Sequence, residues 1–463
     1  MNENIERAIE KFRRRAGRYA RNERYYRGDH DLAFATEKFE NAFGSLFREF
    51  ALNLCPAVCD AVKDKLRVTG FGVERSGNVE RDHLPPRPRS AATPPIQEGS
   101  MRNLHGAASN VWHANRMGVR AGEVHKEALK NGDAYLIVWP GADGKPVMYP
   151  NRASTCVVFY DEEQPGRILW AAKYWRGADK RLRLNLFYPD RIEKYVSREP
   201  SETGFCEPAE LVLFEGDAAS GVGDKSVPAP GKRDAASGVA DEGVRGPRGG
   251  GPVVENPYGV VPVFHFANNS DIGRPGVSEL EAAIPIQDGL NKSVLDMLVA
   301  MEYSAYRQRW AAGIELETDK ATGDEIAPFK AGVAHLWVST NPEARFGDFA
   351  SADLAQFLKV KDGFRIDIAS VTGTPLHYLQ PLTRVMPSGE SLRRSESRFI
   401  AKVRDRQAAF GEVWADAMAF ALRIEGFDGV DLVTQWEDPA AFSERERLEN
   451  LLLEKKIGIS GER

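Results

Sequence analysis

The chain has 463 residues, of which 42% are hydrophobic and 28% charged, a composition typical of a folded protein of about three structural units. Its 62 Lys and Arg against 67 Asp and Glu give a net charge of −5, which argues against a protein whose main affinity comes from neutralising phosphates. Four cysteines, no apolar N-terminal stretch and no run of about 18 apolar residues argue against a disulfide scaffold, a signal peptide and a membrane span.

The first predicted element is a basic helix over residues 1–30. Apolar residues recur there at helical spacing, at Ile5, Ile9, Phe12, Ala16 and Tyr19. Nine Lys or Arg and five Asp or Glu give this segment a net charge of 9 − 5 = +4. Two interpretations are open: an arm that binds DNA, or a helix whose basic face is solvated or contacts an acidic neighbour.

A second helix is predicted over 43–66, where Pro56 is either an interruption or the true start, and a strand over 68–73 follows it. Cys55 and Cys59 lie four residues apart on this helix and share one face. We therefore expect two buried thiols in a chain made in a reducing cytosol. The polar, proline-rich residues 75–99 predict a loop.

A helix over 104–131 precedes seven short β-type segments separated by turn signals, which predict a mostly antiparallel sheet of successive strands. The segments are 134–139, 147–149, 156–160, 168–175, 182–188, 192–196 and 211–214. Residues 216–254 then lack aromatic side chains and repeat the hexapeptide DAASGV, so we expect a flexible insertion.

Long helices dominate the second half of the sequence. Ser278 and Glu281 have the spacing of a capping box, so a helix is expected to begin at 278 and to kink at Pro285. Further helices are predicted over 352–371 and 389–425, with a compact insertion at 313–349 and a loop at 374–388. A last capped helix is expected to begin at Ser443 and to end near Lys456.

Enzyme signatures are absent from the sequence. It contains no P-loop, no H-E-x-x-H, no C-x-x-C and no G-x-S-x-G, and its eight histidines are scattered. We therefore predict that the protein is not an enzyme and assign no catalytic, cofactor-binding or metal-binding residue.

Six patches, in the same order along the chain, resemble segments of the portal proteins of tailed bacteriophages, of the type found in siphophages of Gram-positive hosts. The resemblance covers roughly residues 20–430. The patches are Tyr25 to His30, Asn53 with Val68 to Phe71, Leu129 to Tyr135, Asn256 to Val263, Ser278 to Leu280 with Gln287, Asp288 and Asn291, and Pro387 to Arg393.

The resemblance implies an α+β portal fold whose parts follow one another along the chain. In order they are an α/β wing at 1–277 with the flexible insertion 216–254, stem helix 1 at 278–307, a small α/β clip at 308–351, stem helix 2 at 352–373, a tunnel loop at 374–388, the long helix of the wing at 389–430, and a short helical crown, minimal or truncated, at 431–463.

The implied function is a ring, dodecameric in the virion, through which double-stranded DNA is packaged and ejected at one capsid vertex. The resemblance implies assembly in the host bacterial cytoplasm and no membrane contact. Its implied partners are further copies of the chain, double-stranded DNA, major capsid protein, scaffolding protein, terminase large subunit and head–tail adaptor protein. The alternatives are another virion structural protein, such as a head–tail adaptor, or a DNA-packaging enzyme subunit, which would need a nucleotide-binding loop and an acidic metal cluster.

Within the tunnel loop, the polar residues His377, Gln380 and Arg384 are predicted to face DNA. Three prolines argue against a helix there, and the apolar side chains are expected to pack against equivalent loops around a ring. The alternative is an ordinary connection packed on its own subunit. Residues 278–371 carry nine basic and fifteen acidic side chains, a net charge of 9 − 15 = −6, which would let DNA slide or would merely favour solubility.

Overall fold

The computed structural model describes residues 2–34, 37, 41, 52–73, 98–164, 166–201, 205, 207–214, 252–271, 275–305, 309–313, 317–318, 325–326, 341–348, 353–380 and 389–440. The chain forms two compact units. The first comprises residues 1–27, 55–281 and 372–463, and the second comprises residues 28–54 and 282–371. Helices and antiparallel strands occur together, so the predicted α+β class is confirmed.

The described helices are, in chain order, α1 Glu3–Arg27, α2 Cys55–Asp64, α3 Glu98–Ala114, α4 Met117–Asn131, α5 Ile284–Ala305, α6 Ala355–Thr372, α7 Leu376–Leu379 and α8 Gly389–Ile424. The strands are β1 Val68–Val73, β2 Asp133–Pro140, β3 Pro146–Asn151, β4 Cys156–Tyr160, β5 Ile168–Arg176, β6 Arg181–Phe187, β7 Arg191–Pro200, β8 Leu211–Leu213, β9 Val253–Glu255, β10 Val263–Ala267, β11 Arg309–Ala312, β12 Glu317–Thr318, β13 Glu325–Ile326, β14 Arg345–Asp348 and β15 Leu432–Trp436. The predicted strand 68–73 and the seven predicted strands between 134 and 214 are confirmed.

The strands of the first unit form three antiparallel sheets rather than the one sheet that was predicted. β10, β2 and β3 form one sheet, β4 to β8 with β9 form a larger one, and β1 pairs with β15. α1 covers the larger sheet, because Ile5, Ile9 and Phe12 are buried in one core with residues of β5 and β6. The apolar periodicity that predicts α1 thus marks its buried face.

The predicted helix 104–131 is wrong in its continuity, because α3 ends at Ala114 and α4 begins at Met117. Arg116 adopts a left-handed conformation with φ 53°, which a continuous helix does not allow. Asn115 stabilises the break, since its amide donates to the carbonyl oxygens of Val111 and Pro146 and its oxygen accepts from Met148 N. A small polar residue between two helical patterns is the signal for this break.

The buried thiols of Cys55 and Cys59 are confirmed, and α2 begins beside Pro56 as one reading of that proline predicts. The predicted loop at 75–99 lies outside the described residues except for 98–99, which begin α3. The last predicted helix, from Ser443 to Lys456, also lies outside them. β15 was not predicted; it lies in the segment assigned to a helical crown and pairs with β1.

The capping-box pattern predicts that Ser278 caps the helix that follows it, and this prediction is wrong. α5 begins only at Ile284, so Pro285 lies in its first turn and not at an internal kink. Instead, the Ser278 hydroxyl donates to Lys130 O and the Glu279 amide donates to Leu129 O. Segment 276–280 therefore satisfies carbonyl groups that the C-terminal end of α4 leaves without helical partners.

The second unit joins segment 28–54 to α5 through buried polar side chains. The amide of Gln287 donates to Leu52 O and its oxygen accepts from Leu54 N. Asn291 is hydrogen bonded to the His30 ring at 2.7 Å. This grouping differs from the predicted division, which assigns all of residues 1–277 to one domain. In the predicted clip, β11 pairs with β14 and β12 with β13.

β8 and β9 occupy one strand position that is interrupted by the chain between them. β8 pairs with residues 195–197 of β7 and β9 with residues 191–193. Lys194, between these two registers, accepts from Phe214 N at 2.9 Å and donates to Pro252 O at 2.8 Å. The chain between β8 and β9 therefore begins and ends opposite the same residue, Lys194. The predicted insertion 216–254 lies largely outside the described residues, and its last two positions belong to β9.

Deleting residues 215–252 should leave a continuous edge strand. Positions 214 and 252 both face Lys194, so removing 252 − 214 = 38 residues restores an unbroken antiparallel register. We expect a thermal unfolding midpoint equal to that of the full chain. Deleting only 215–251 is the matched control: it leaves one extra residue, which forces a bulge or moves side chains to the other face and should lower the midpoint. Equal midpoints for the two deletions would contradict the split-strand assignment.

Candidate nucleic-acid interface

The predicted tunnel loop begins with a helical turn. α7 covers Leu376–Leu379, and Gln380 N donates to Leu376 O at 3.0 Å. The expectation that prolines exclude a helix is therefore wrong for the first half of the loop. Pro375, with φ −58°, is the N-cap of this turn. A proline is tolerated there because it has no N–H group and no helical hydrogen bond requires one at this position.

His377 contacts a carboxylate of its own chain. Its Nε2 atom lies 3.0 Å from Oε1 of Glu396 on α8, and the two side chains are only 21% and 15% exposed. The structure thus places the first of the three predicted DNA-facing residues in an intramolecular contact between its imidazole and a carboxylate. Glu396 was missed by sequence reasoning, because nothing in the local pattern of α8 marks this acidic residue.

Gln380 and Arg384 lie further along the predicted loop. Gln380 has extended backbone with φ −140°, and its side chain is half-buried. Arg384 lies outside the described residues. A DNA-facing role stays a prediction for both.

The apolar side chains of the loop divide between a buried and an exposed set. Leu379 is 4% exposed, and the ring of Tyr378 lies 5.7 Å from that of Phe399 on α8. Burial, with the negative charges of Glu396 and Asp64, raises the pKa of the Tyr378 phenol. Leu376 and Tyr378 are still 38% and 37% exposed. Part of the loop packs on its own subunit, and part of its apolar surface is left for other contacts.

A second contact with α8 lies where α6 ends and the loop begins. Lys402 Nζ donates to Thr372 O at 2.8 Å. Gly373, with φ 67°, then turns the chain in a conformation that other residues rarely adopt. Thr372 and Thr374 share a hydrogen bond between their hydroxyls, which closes the turn around Gly373.

The same lysine belongs to a buried charged cluster around Glu279. Oε2 of Glu279 lies 2.5 Å from Lys402 Nζ, and Oε1 lies 3.1 Å from both Arg406 Nη2 and Asn268 Nδ2. Burial opposes ionisation of Glu279, but the charges of Lys402 and Arg406 outweigh it and lower its pKa. The cluster fixes α8 against the segment that leads out of the first unit.

A second buried cluster surrounds Asp133, which follows the turn from α4 to β2. Oδ1 of Asp133 lies 2.8 Å from His265 Nε2 and accepts from Gly276 N. Oδ2 accepts from the Tyr19 hydroxyl at 2.6 Å and from Arg18 at 3.1 Å. Since the other ring nitrogen of His265 lies 2.8 Å from the Tyr160 hydroxyl, both nitrogens of this buried strand residue have hydrogen-bond partners.

The basic residues of α1 meet acidic and aromatic neighbours. Arg15 and Arg18 lie near Asp133, and Arg13 is paired with Glu207 at 2.8 Å. Lys11 donates to Val158 O and stacks over the Phe159 ring. Arg13, Arg15 and Arg18 thus contact acidic neighbours, as the second interpretation of this helix expects, whereas Lys11 contacts a carbonyl oxygen and an aromatic ring.

In the part of the chain that the structure describes, no group of three or more His, Cys, Asp or Glu side chains is placed to hold a metal ion. None of the described helices has both the length and the apolar character required to cross a bilayer.

Comparison with known proteins decides the family. The family described as "Phage portal protein, SPP1 Gp6-like" matches residues 98–459, which is 459 − 97 = 362 of the 463 residues. The chain belongs to this family of phage portal proteins. The predicted resemblance is thereby confirmed.

Two curated portal proteins are similar to this one over part of their length. The portal protein of Mycobacterium phage L5 is 31% identical over 192 residues, and that of Mycobacterium phage D29 is 30% identical over 192 residues. Each alignment covers 39% of this portal-family chain and 39% of the relative.

Solved structures with some likeness come from particle necks. A chain from the neck of an empty GTA particle computed with C6 symmetry has a TM-score of 0.43 at 12% identity, covering 80% of this chain and 81% of that one. A chain from the neck of a native GTA particle computed with C12 symmetry has a TM-score of 0.38 at 13% identity, covering 73% and 75%.

The Asp133 cluster predicts acid sensitivity of this portal-family protein. Burial alone would raise the pKa of Asp133, but hydrogen bonds from His265 and Tyr19 and the charge of Arg15 lower it from 3.8 to about 2. A lowered pKa stabilises the fold above pH 4 by about 2 kcal/mol, and this contribution is lost as the pH falls from 4 to 2.

Asp133→Asn should therefore unfold at a lower temperature at pH 7, and its midpoint should change less between pH 4 and 2 than that of the unchanged protein. Thermal unfolding followed by circular dichroism measures both effects. Asp143→Asn, in the exposed turn between β2 and β3, is the control. The same pH response in Asp133→Asn and the unchanged protein would show that this carboxylate is not the sensitive group.

Proposed function

We propose that this protein is the portal of a tailed phage: a structural ring, dodecameric in the virion, through which double-stranded DNA enters and leaves at one capsid vertex. It acts as a conduit and not as an enzyme. Its partners are terminase large subunit, head–tail adaptor protein, major capsid protein and scaffolding protein, and it assembles in the host bacterial cytoplasm. The family match over residues 98–459 carries the proposal and favours it over an adaptor or a packaging enzyme.

The proposed parts keep their predicted boundaries: wing 1–277, stem helices 278–307 and 352–373, clip 308–351, tunnel loop 374–388, long helix 389–430 and crown 431–463. The observed helices α5, α6 and α8 lie within the segments proposed for the two stem helices and the long helix. The crown needs one adjustment, since β15 begins it with a strand that pairs with β1.

Ring formation is supported by the surface of α6. Apolar side chains point outward on several sides of this helix: Leu358 at 49%, Val360 at 48%, Ile366 at 52% and Val371 at 48% exposure. A helix with apolar residues on several sides is normally buried, and the described part of one subunit leaves these residues exposed. Neighbouring copies in a closed ring would bury them through a repeated heterologous contact.

The charge of the proposed stem and clip is compatible with a sliding conduit. Residues 278–371 carry a net charge of 9 − 15 = −6, so a ring of copies would present an acidic bore. Each contact between a basic side chain and a phosphate strengthens binding, and a basic bore would slow DNA movement.

Ile366→Asp should prevent ring formation without unfolding the subunit. Ile366 is half-exposed in the single chain, so a carboxylate there is tolerated, whereas between subunits it would be buried without a partner. Light scattering and negative-stain microscopy should show annular particles for the unchanged protein and monomers for the variant.

Val119→Asp is the matched control, because Val119 is 75% exposed on α4 of the first unit. Rings formed equally well by Ile366→Asp would exclude this face of α6 from the interface. A protein that stays at about 51 kDa at micromolar concentration would count against the ring itself.

Arg384→Ala should leave the ring assembled but reduce packaging or retention of DNA. Among the three predicted DNA-facing residues it is the one with a permanent positive charge, so it should make the strongest phosphate contact. Packaged DNA per particle, measured by nuclease protection, gives the readout, and Arg384→Lys should retain most of the function. Wild-type packaging by Arg384→Ala would remove this residue from the mechanism.

A further inference from the structure

One face of α8 follows the returning chain from the end of α6 into the proposed tunnel loop. Glu396, Phe399 and Lys402 are spaced three residues apart, so they lie on the same side of the helix. In turn they contact His377, Tyr378 and the carbonyl of Thr372. The segment 372–378 is therefore held along α8 at three successive points.

The three contacts differ in kind, and each restricts the segment in its own way. The contact between the His377 imidazole and the Glu396 carboxylate is mostly shielded from water, so it competes less with solvent than a contact at an open surface does. The ring contact between Tyr378 and Phe399 excludes water beside it, because Phe399 is fully buried. The hydrogen bond from Lys402 carries a full charge and is stronger than a neutral one.

We propose that Glu396 is a positioning residue that holds the first half of the DNA-facing loop in place through His377. This inference rests on the proposed function. In this proposal His377 holds the loop from within the subunit and does not itself contact DNA.

Two sets of measurements test this assignment. The first uses the protein alone: hydrogen exchange at the amides of Tyr378 and Gln380, which donate to Pro375 O and Leu376 O and report opening of α7. Glu396→Ala and His377→Ala should each speed this exchange by about tenfold, the effect of losing one shielded hydrogen bond to a carboxylate. The double variant should be no faster than either single variant, because both remove the same interaction.

The second set uses assembled particles and measures retained DNA. Glu396→Ala and His377→Ala should lower retention equally, although Glu396 is not proposed to contact DNA. The exchanged pair, Glu396→His with His377→Glu, should restore both exchange and retention towards the unchanged level. Glu396→Gln, which keeps the side-chain shape, is the conservative variant should the alanine variant fold poorly.

Asp438→Asn is the matched control, because it removes an exposed ion pair from the same helix. Asp438 lies 3.5 Å from Arg404, and the side chains are 50% and 60% exposed. Exchange at α7 and DNA retention should both stay unchanged in this variant.

The outcomes separate the inference from the proposed function. Unchanged exchange in Glu396→Ala, or loss of retention confined to His377→Ala, would overturn the positioning role and make the imidazole a direct DNA contact. Faster exchange with full retention in both alanine variants would support the positioning role and contradict a DNA-facing loop.

Discussion

The buried ion pair between Glu279 and Lys402 is the interaction on which the arrangement of this protein depends most. The chain leaves the first unit just after Glu279 and returns to it at Thr372. Lys402 contacts both points, at 2.5 Å and 2.8 Å. Glu279 is only 8% exposed, so its ionised carboxylate needs its cationic partners to stay in place. A shift of α8 relative to Glu279 or Thr372 would therefore leave a buried charge unpaired.

This constraint extends from α8 back to α4 through a short segment of main chain. Residues 276–280 lie between them: Gly276 N donates to Asp133 and the Ser278 hydroxyl donates to Lys130 O. The Glu279 carboxylate accepts hydrogen bonds from the cations of α8. Gly132 and Gly276 approach so closely that a Cβ at either position would collide with the backbone of the other. The base of the proposed tunnel loop is thus built on a continuous series of buried polar contacts.

Sequence patterns predicted most of the elements, because apolar spacing is a local property. The strands from β2 to β8, the face of α1 and the length of α8 all follow from it. The patterns failed where a side chain serves a distant partner. Ser278 has the spacing of a helix cap, yet its hydroxyl binds an α4 carbonyl 148 residues away. His377 is polar and lies in a predicted loop, yet it pairs with Glu396 on the next helix. β15 is recognised only by its partner strand.

The patches that carry the family resemblance lie where segments distant in sequence contact one another. His30 and Asn291 belong to two different patches and are hydrogen bonded to each other. Gln287, in the same patch as Asn291, is hydrogen bonded to the backbone on both sides of Asn53, which belongs to a third patch. Asn131, Gly132 and Asp133 form the turn on which segment 276–280 rests. Apolar periodicity is satisfied by many sequences, whereas a close glycine approach or a paired buried amide is satisfied by few. Short polar and glycine motifs therefore identified this fold when no single helix or strand could have done so.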